Sequence, residues 1–156
     1  MKPSRIILGL DPGSVATGWG VIRVEGSRQF HIAAGVVRPK SKDFNGRLVE
    51  IHDAVMEICE LHGPAEAAIE TPFYHQNAQT TIKLAHVRGA LVVCCARAGA
   101  EVHEYSPMEI KKSLVGQGRA EKDQVAKMVS LVLGIAEKLP ADATDALAAA
   151  VTHAQL

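Results

Sequence analysis

Four acidic residues stand where apolar segments end or begin. Asp11 closes the run from Arg5 to Leu10, Glu70 closes the run from Ala65 to Ile69, and Asp142 and Asp145 open the alanine-rich stretch from Ala146 to Val151. Carboxylates gathered in one pocket repel each other and raise their own pKa values. A pair of Mg²⁺ ions relieves that repulsion, and Mg²⁺ keeps some water while taking a few carboxylates plus phosphate oxygens. Two such ions ~3.5–4 Å apart activate water and stabilise the leaving 3′ oxygen of an in-line displacement at a phosphodiester. No His/Cys zinc spacing and no Gly-x-x-x-x-Gly-Lys-Ser/Thr loop is present, which removes the commonest competing phosphate chemistries. Each acid also has a plainer reading when taken singly. Asp11 before Pro12-Gly13 is a turn residue. Asp142 and Asp145 favour the positive end of a helix, although an i, i+3 spacing also puts both on one helix face.

The acids meet only if the elements that carry them meet. The run from about Arg5 to Leu10 is apolar and reads as a strand buried on both faces. After a turn the chain re-enters β structure at about Thr17–Val24, where Gly18 and Gly20 flank Trp19, and glycine inside a strand marks a close backbone or ligand approach. We read these glycines as keeping the approach of a phosphate to Asp11 clear. Glu25-Gly26-Ser27-Arg28 turns the chain into a third strand, Gln29–Val37, giving an antiparallel meander. Leu48, Ile51, Val55, Ile58 and Cys59 recur at helical spacing, with Asp43 or Asn45 as N-cap and Gly63-Pro64 as the stop. Ala65–Ile69 then follows a helix and is expected to lie parallel to the first strand, which places Asp11 beside Glu70.

Beyond it, a loop carries Phe73, Tyr74 and His75, suited either to local packing or to a ligand at the acid edge. The helix expected at 78–98 has two apolar faces, one through Ile82, Ala85, Gly89, Val93 and Ala96 and one through Leu84, Val87, Leu91, Cys94 and Ala98. Such a helix is covered on both sides, by the sheet and by either a partner subunit or a second helix of the chain. Glu101–Tyr105 is a fifth strand, and Ser106-Pro107 starts a helix with proline in the first position. Lys111, Lys112, Arg119, Lys122 and Lys127 make the following segment the most basic part of the chain, as a solvated helical face or a phosphate-binding rim. Gln124–Ile135 is an amphipathic helix.

The 156 residues suggest one domain, 1–156, with room for a substantial core. Hydrophobic content of 47% with 22% charged residues is ordinary for a soluble globular chain, and no apolar run is long enough to span a membrane. Three cysteines, Cys59, Cys94 and Cys95, with no Cys-x-x-Cys pair fit reduced, buried thiols in a cytoplasmic protein. Seventeen basic and seventeen acidic side chains leave no net charge, so only a local concentration of charge can favour a polyanion.

Together these residues resemble the RuvC family of Holliday-junction resolvases, within the ribonuclease H-like superfamily. The resemblance is carried by Ile-Leu-Gly-Leu-Asp-Pro-Gly-Ser at 7–14 with Thr-Gly-Trp-Gly-Val-Ile, Ala-Ile-Glu at 68–70 followed by Phe73, Lys-Leu-Ala-His-Val-Arg-Gly at 83–89, Val-Gly-Gln-Gly-Arg-Ala-Glu-Lys at 115–122, and Ala-Asp-Ala-Thr-Asp-Ala-Leu-Ala at 141–148 with Thr-His at 152–153. It implies an α/β, ribonuclease H-like fold: a five-stranded mixed sheet, three strands antiparallel and the rest parallel, flanked by helices. It implies a bacterial, nucleoid-associated homodimer that cuts two strands of four-way junction DNA symmetrically beside a branch-migration motor. Asp11, Glu70, Asp142 and Asp145 would be catalytic metal ligands for Mg²⁺, two per site, with Mn²⁺ as a substitute. Phe73 would stack on unpaired bases at the crossover, as aromatic side chains do on single strands. Tyr74, Lys111, Arg119 and Lys122 would contact DNA, the two lysines near the scissile backbone. His153 either approaches the site or is a surface or core histidine.

Phosphate contacts dominate DNA affinity, so a neutral chain must segregate its charge or bind weakly and with strong salt dependence. Three other readings compete: an actin-like or sugar-kinase-like ATPase lobe, a non-catalytic junction binder, and a related nuclease with another substrate. A single lobe of this size cannot close over a nucleotide, and a binder gains nothing from four acids facing phosphate.

Overall fold

In the computed structural model, which describes residues 3–71, 76–116 and 121–156, a five-stranded sheet divides two helical layers. Its strands are β1 (Arg5–Asp11), β2 (Thr17–Glu25), β3 (Arg28–Val37), β4 (Glu66–Glu70) and β5 (Glu101–Tyr105). They lie in the order β3-β2-β1-β4-β5. β1, β2 and β3 pair antiparallel, while β4 joins β1 and β5 joins β4 in parallel. The mixed sheet expected from the sequence is therefore the one observed.

Strand parity assigns every side chain to a layer, because alternate residues face opposite sides of a sheet. Leu8, Leu10, Val21, Ala67 and Ile69 point to one face. There they bury α1 (Phe44–His62) and α2 (Ala78–Arg97) through Ile51, Val55, Val87 and Leu91. Asp43 caps α1 by accepting from the Gly46 amide, and Gly63 ends it at φ 58°. Cys59, Cys94 and Cys95 are free and buried in this layer, as expected.

Ile7, Ile22, Val24, Ala68 and Tyr105 point to the other face. Here lie α3 (Pro107–Val115), α4 (Lys122–Leu133) and α5 (Ala141–Gln155). Ser106 begins α3 with a capping box to Glu109, and Gly134 ends α4 at φ 65°. α5 is the inner helix: Ala143 and every residue from Ala146 to Val151 are buried. None of the described helices is long and apolar enough to cross a membrane.

α2 shows both of its expected faces, but only one is covered. Val87, Leu91, Cys94 and Cys95 are buried, whereas Ile82 and Val93 are 56% and 55% exposed. Among the described residues no helix of the chain covers this face. Ala98, expected on the covered face, is the exposed C-cap.

Candidate active site

The β1–β4 register pairs Leu10 with Ile69, so Asp11 and Glu70 stand side by side one step further on. Both project toward α5, like Gly9 and Ala68 two residues before them. The turn that follows Asp11 is held by Thr17, whose hydroxyl donates to the Gly13 carbonyl at 2.7 Å and accepts from the Gly13 amide at 3.2 Å. Thr17 is wholly buried. This anchor was not anticipated; a hydroxyl at the first residue of the returning strand was its only trace.

The glycines are places of close approach, as expected, and what approaches is a helix. A Cβ at Gly18 would fall on the Asp142 carbonyl oxygen, one at Gly9 on the Ala146 carbonyl oxygen, and one at Gly20 on the Leu147 side chain, all closer than the 3.0 Å real Cβ atoms keep. Of the two approaches a strand glycine allows, the one seen here is that of α5: its backbone at Gly9 and Gly18 and the Leu147 side chain at Gly20. Because α5 can approach so closely, its first turn delivers Asp142 and Asp145 to the tip of β1. One carboxylate oxygen from each of Asp11, Asp142 and Asp145 lies within 4.8 Å of the others. Glu70 joins through a hydrogen bond between its carboxyl and that of Asp11.

The four acids line an open cleft of about 210 Å³ together with Lys111, Lys122, Pro107, Ile110, Val125 and Ala148. That is room for many waters, each of which needs about 10–15 Å³ of such space. Lys122 Nζ lies 3.6 Å from Asp145 Oδ2. Burial, then the charges of Glu70, Asp145 and Asp142, push Asp11 up to about 8. Burial and Asp145 push Glu70 up to about 7, against the opposing pull of the Asp11 hydrogen bond, Lys122 and Lys111. Asp145 is also raised by burial, with Lys122 opposing. These shifts describe surplus negative charge that protons partly neutralise and a cation would neutralise better. An all-oxygen, solvent-open donor set suits a hard divalent ion, so the residues fit one.

Of the other residues singled out in the sequence, Phe73, Tyr74 and Arg119 lie outside the described residues. His153 is absent from the cleft. It sits at the opposite end of α5, its Nδ1 2.6 Å from the Tyr105 hydroxyl and its Nε2 hydrogen-bonded to Glu66. It is the core histidine of the two alternatives. Burial would raise Glu66, but Arg5 and His153 outweigh it and hold the carboxyl below its usual range.

The profile of crossover junction endodeoxyribonuclease RuvC matches residues 7–153. This chain belongs to the RuvC family. Crossover junction endodeoxyribonuclease RuvC of Solidesulfovibrio magneticus is 54% identical over 95% of this chain and 88% of its own. Its counterpart in Caulobacter vibrioides is 50% identical over 99% of this chain and 91% of its own. The solved T. thermophilus RuvC in complex with Holliday junction substrate superposes with a TM-score of 0.90 at 34% identity, covering 96% of this chain and 93% of that one. The ribonuclease H-like architecture read from the five motifs is therefore the architecture of the family, and RuvC membership makes the chain a nuclease. An ATPase lobe and a non-catalytic binder fall away as readings.

Proposed function

We propose that this chain resolves Holliday junctions by divalent-metal-dependent hydrolysis of one phosphodiester in each of two strands, with Asp11, Glu70, Asp142 and Asp145 as the catalytic metal ligands. The observation that carries the reading is the convergence of those acids, from two strand tips and one helix start, beside Lys111 and Lys122. Mg²⁺, in a pair or with Mn²⁺ substituting, supplies when bound the positive charge that activates water and stabilises the leaving 3′ oxygen. Asp11 and Glu70 give up the protons they hold near neutrality, so the cleft becomes a full set of anionic ligands as pH rises. Lys122, already paired with Asp145, and Lys111 in the cleft lining stabilise the phosphate's own charge and orient the backbone. Hydrolysis adds water across one P–O bond and leaves a 3′-hydroxyl and a 5′-phosphate, ends that a ligase can rejoin.

Symmetric cutting calls for two sites, and the exposed face of α2 through Ile82, Gly89 and Val93 supports a homodimer. Gly89 has nothing within 4 Å of where a Cβ would stand, so a second helix can approach closely there. In this reading Phe73 stacks on bases at the crossover, Tyr74 and Arg119 add DNA contacts, and a branch-migration motor is a partner.

The test is Asp11→Asn. Junction cleavage should fall by at least ~10³-fold, while junction binding in a mobility-shift assay stays level or tightens because a negative charge facing phosphate is gone. Mg²⁺-dependent cutting by this variant at the wild-type rate would remove Asp11 from the metal set.

A further inference from the structure

At the end of the sheet remote from the acids, three elements bring together a second set of possible ligands. Glu66 opens β4, His103 lies two residues before Tyr105 on β5, and His153 lies in the last turn of α5. One ligand atom from each lies within 4.8 Å of the other two. The separation from the nuclease cleft follows from element geometry: four strand residues from Glu66 to Glu70 span ~13 Å, and the helix from Asp142 to His153 rises ~16 Å.

The surroundings resemble the outer shell of a metal centre. His153 holds the Tyr105 hydroxyl through Nδ1 and turns Nε2 to Glu66. His103 Nε2 lies 2.8 Å from Glu101 Oε1, so each imidazole has one nitrogen fixed by a polar neighbour. Metal-binding histidines are oriented in this way by partners on the ring nitrogen that is not ligating. The rings of His103 and His153 sit 4.4 Å apart and are tilted by 33°. Arg5 Nη1 lies 2.7 Å from both oxygens of Glu66, and a carboxylate has lone pairs left for a further partner. The side chains of Glu66 and His153 are 17% and 9% exposed and that of His103 is 35% exposed. An ion could therefore enter past His103 and become largely buried.

We propose that Glu66, His103 and His153 form a binding site for Zn²⁺ or a similar late first-row divalent cation. Two imidazoles and one carboxylate suit such ions, whereas Mg²⁺ prefers oxygen alone, so the two sites of the chain divide the metals between them. Zn²⁺ takes the place of the proton between Glu66 and His153 Nε2, which passes to solvent, and water completes the four-coordinate shell. The bound ion ties β4, β5 and the end of α5 together. It is a structural clamp on the helix whose other end carries Asp142 and Asp145.

The experiment titrates chelator-stripped protein with Zn²⁺ in excess Mg²⁺, reads stoichiometry by elemental analysis after gel filtration, and repeats the titration with Co²⁺ in the visible range. The expected result is one Zn²⁺ per chain and the intense absorption of four-coordinate Co²⁺, both retained in Asp11→Asn. His103→Ala, half-exposed on an edge strand, and Glu66→Gln should each weaken Zn²⁺ binding at least about tenfold with circular dichroism and junction cleavage in Mg²⁺ unchanged. Wild-type protein that retains no Zn²⁺, ligand variants that bind it equally well, or loss of the ion in Asp11→Asn would each overturn the site.

Discussion

Asp11 and Glu70 share a hydrogen bond and hold protons near neutrality, because burial and neighbouring acids disfavour a second negative charge. The consequence for stability has a definite sign. A carboxyl whose folded pKa lies above its unfolded value stabilises the fold below the unfolded pKa and loses that contribution as pH rises through the folded one. For Asp11 the window runs from the ordinary 3.8 to about 8. Without metal at pH 8, Asp11→Asn should therefore be more stable than wild type by about 2–4 kcal/mol, allowing for partial solvent screening. The gap should close toward pH 4, and Mg²⁺ should reverse it at pH 8. Urea unfolding in chelator and in Mg²⁺ at the two pH values measures this. A variant less stable than wild type in chelator at pH 8 would mean that the acids do not strain the empty cleft.

At the scale of elements, α5 decides the site, and glycine decides where α5 lies. Gly18→Ala places a methyl on the Asp142 carbonyl, so the helix must retreat. Overpacking of this kind costs about 1–3 kcal/mol, and here the retreat also draws Asp142 from Asp11. We expect Gly18→Ala to lose that much stability by urea unfolding and to need at least about tenfold more Mg²⁺ for half-maximal cleavage. Unchanged Mg²⁺ dependence would separate helix position from metal binding. The elements themselves were legible in the sequence: apolar runs, helical spacing, the Asp43 and Ser106 caps and the parallel return of β4 all follow from local patterns. The acids were legible too, since each ends or begins such a pattern. For Gly18 and Gly20 a close approach was legible but what approaches was not, because an absent side chain carries no periodicity and its reason sits on a helix far along the chain. His153 was opaque for the same reason, its partners Glu66 and Tyr105 coming from two separate strands. Once strand parity is known, Glu66 and Glu70 fall on the same face as α5, and both ends of that helix become readable.

At the scale of the molecule, the sheet separates two tasks. One layer, α3 to α5, builds the cleft; the other, α1 and α2, presents an apolar face to solvent. Val93, 55% exposed, lies on that face. Val93→Glu should leave the fold intact by circular dichroism and shift the chain from dimer to monomer in sedimentation. The paired cuts that resolve a junction should then become single, uncoordinated nicks. A dimer that survives the charge would place the interface elsewhere. Whether the converging acids cut junctions is measured with purified protein and a labelled mobile four-way junction beside a linear duplex of the same sequence, with and without Mg²⁺. Symmetric nicks should appear on the junction alone and only in Mg²⁺. Cleavage of the duplex at the same rate, or of the junction in chelator, would contradict that role for the acids.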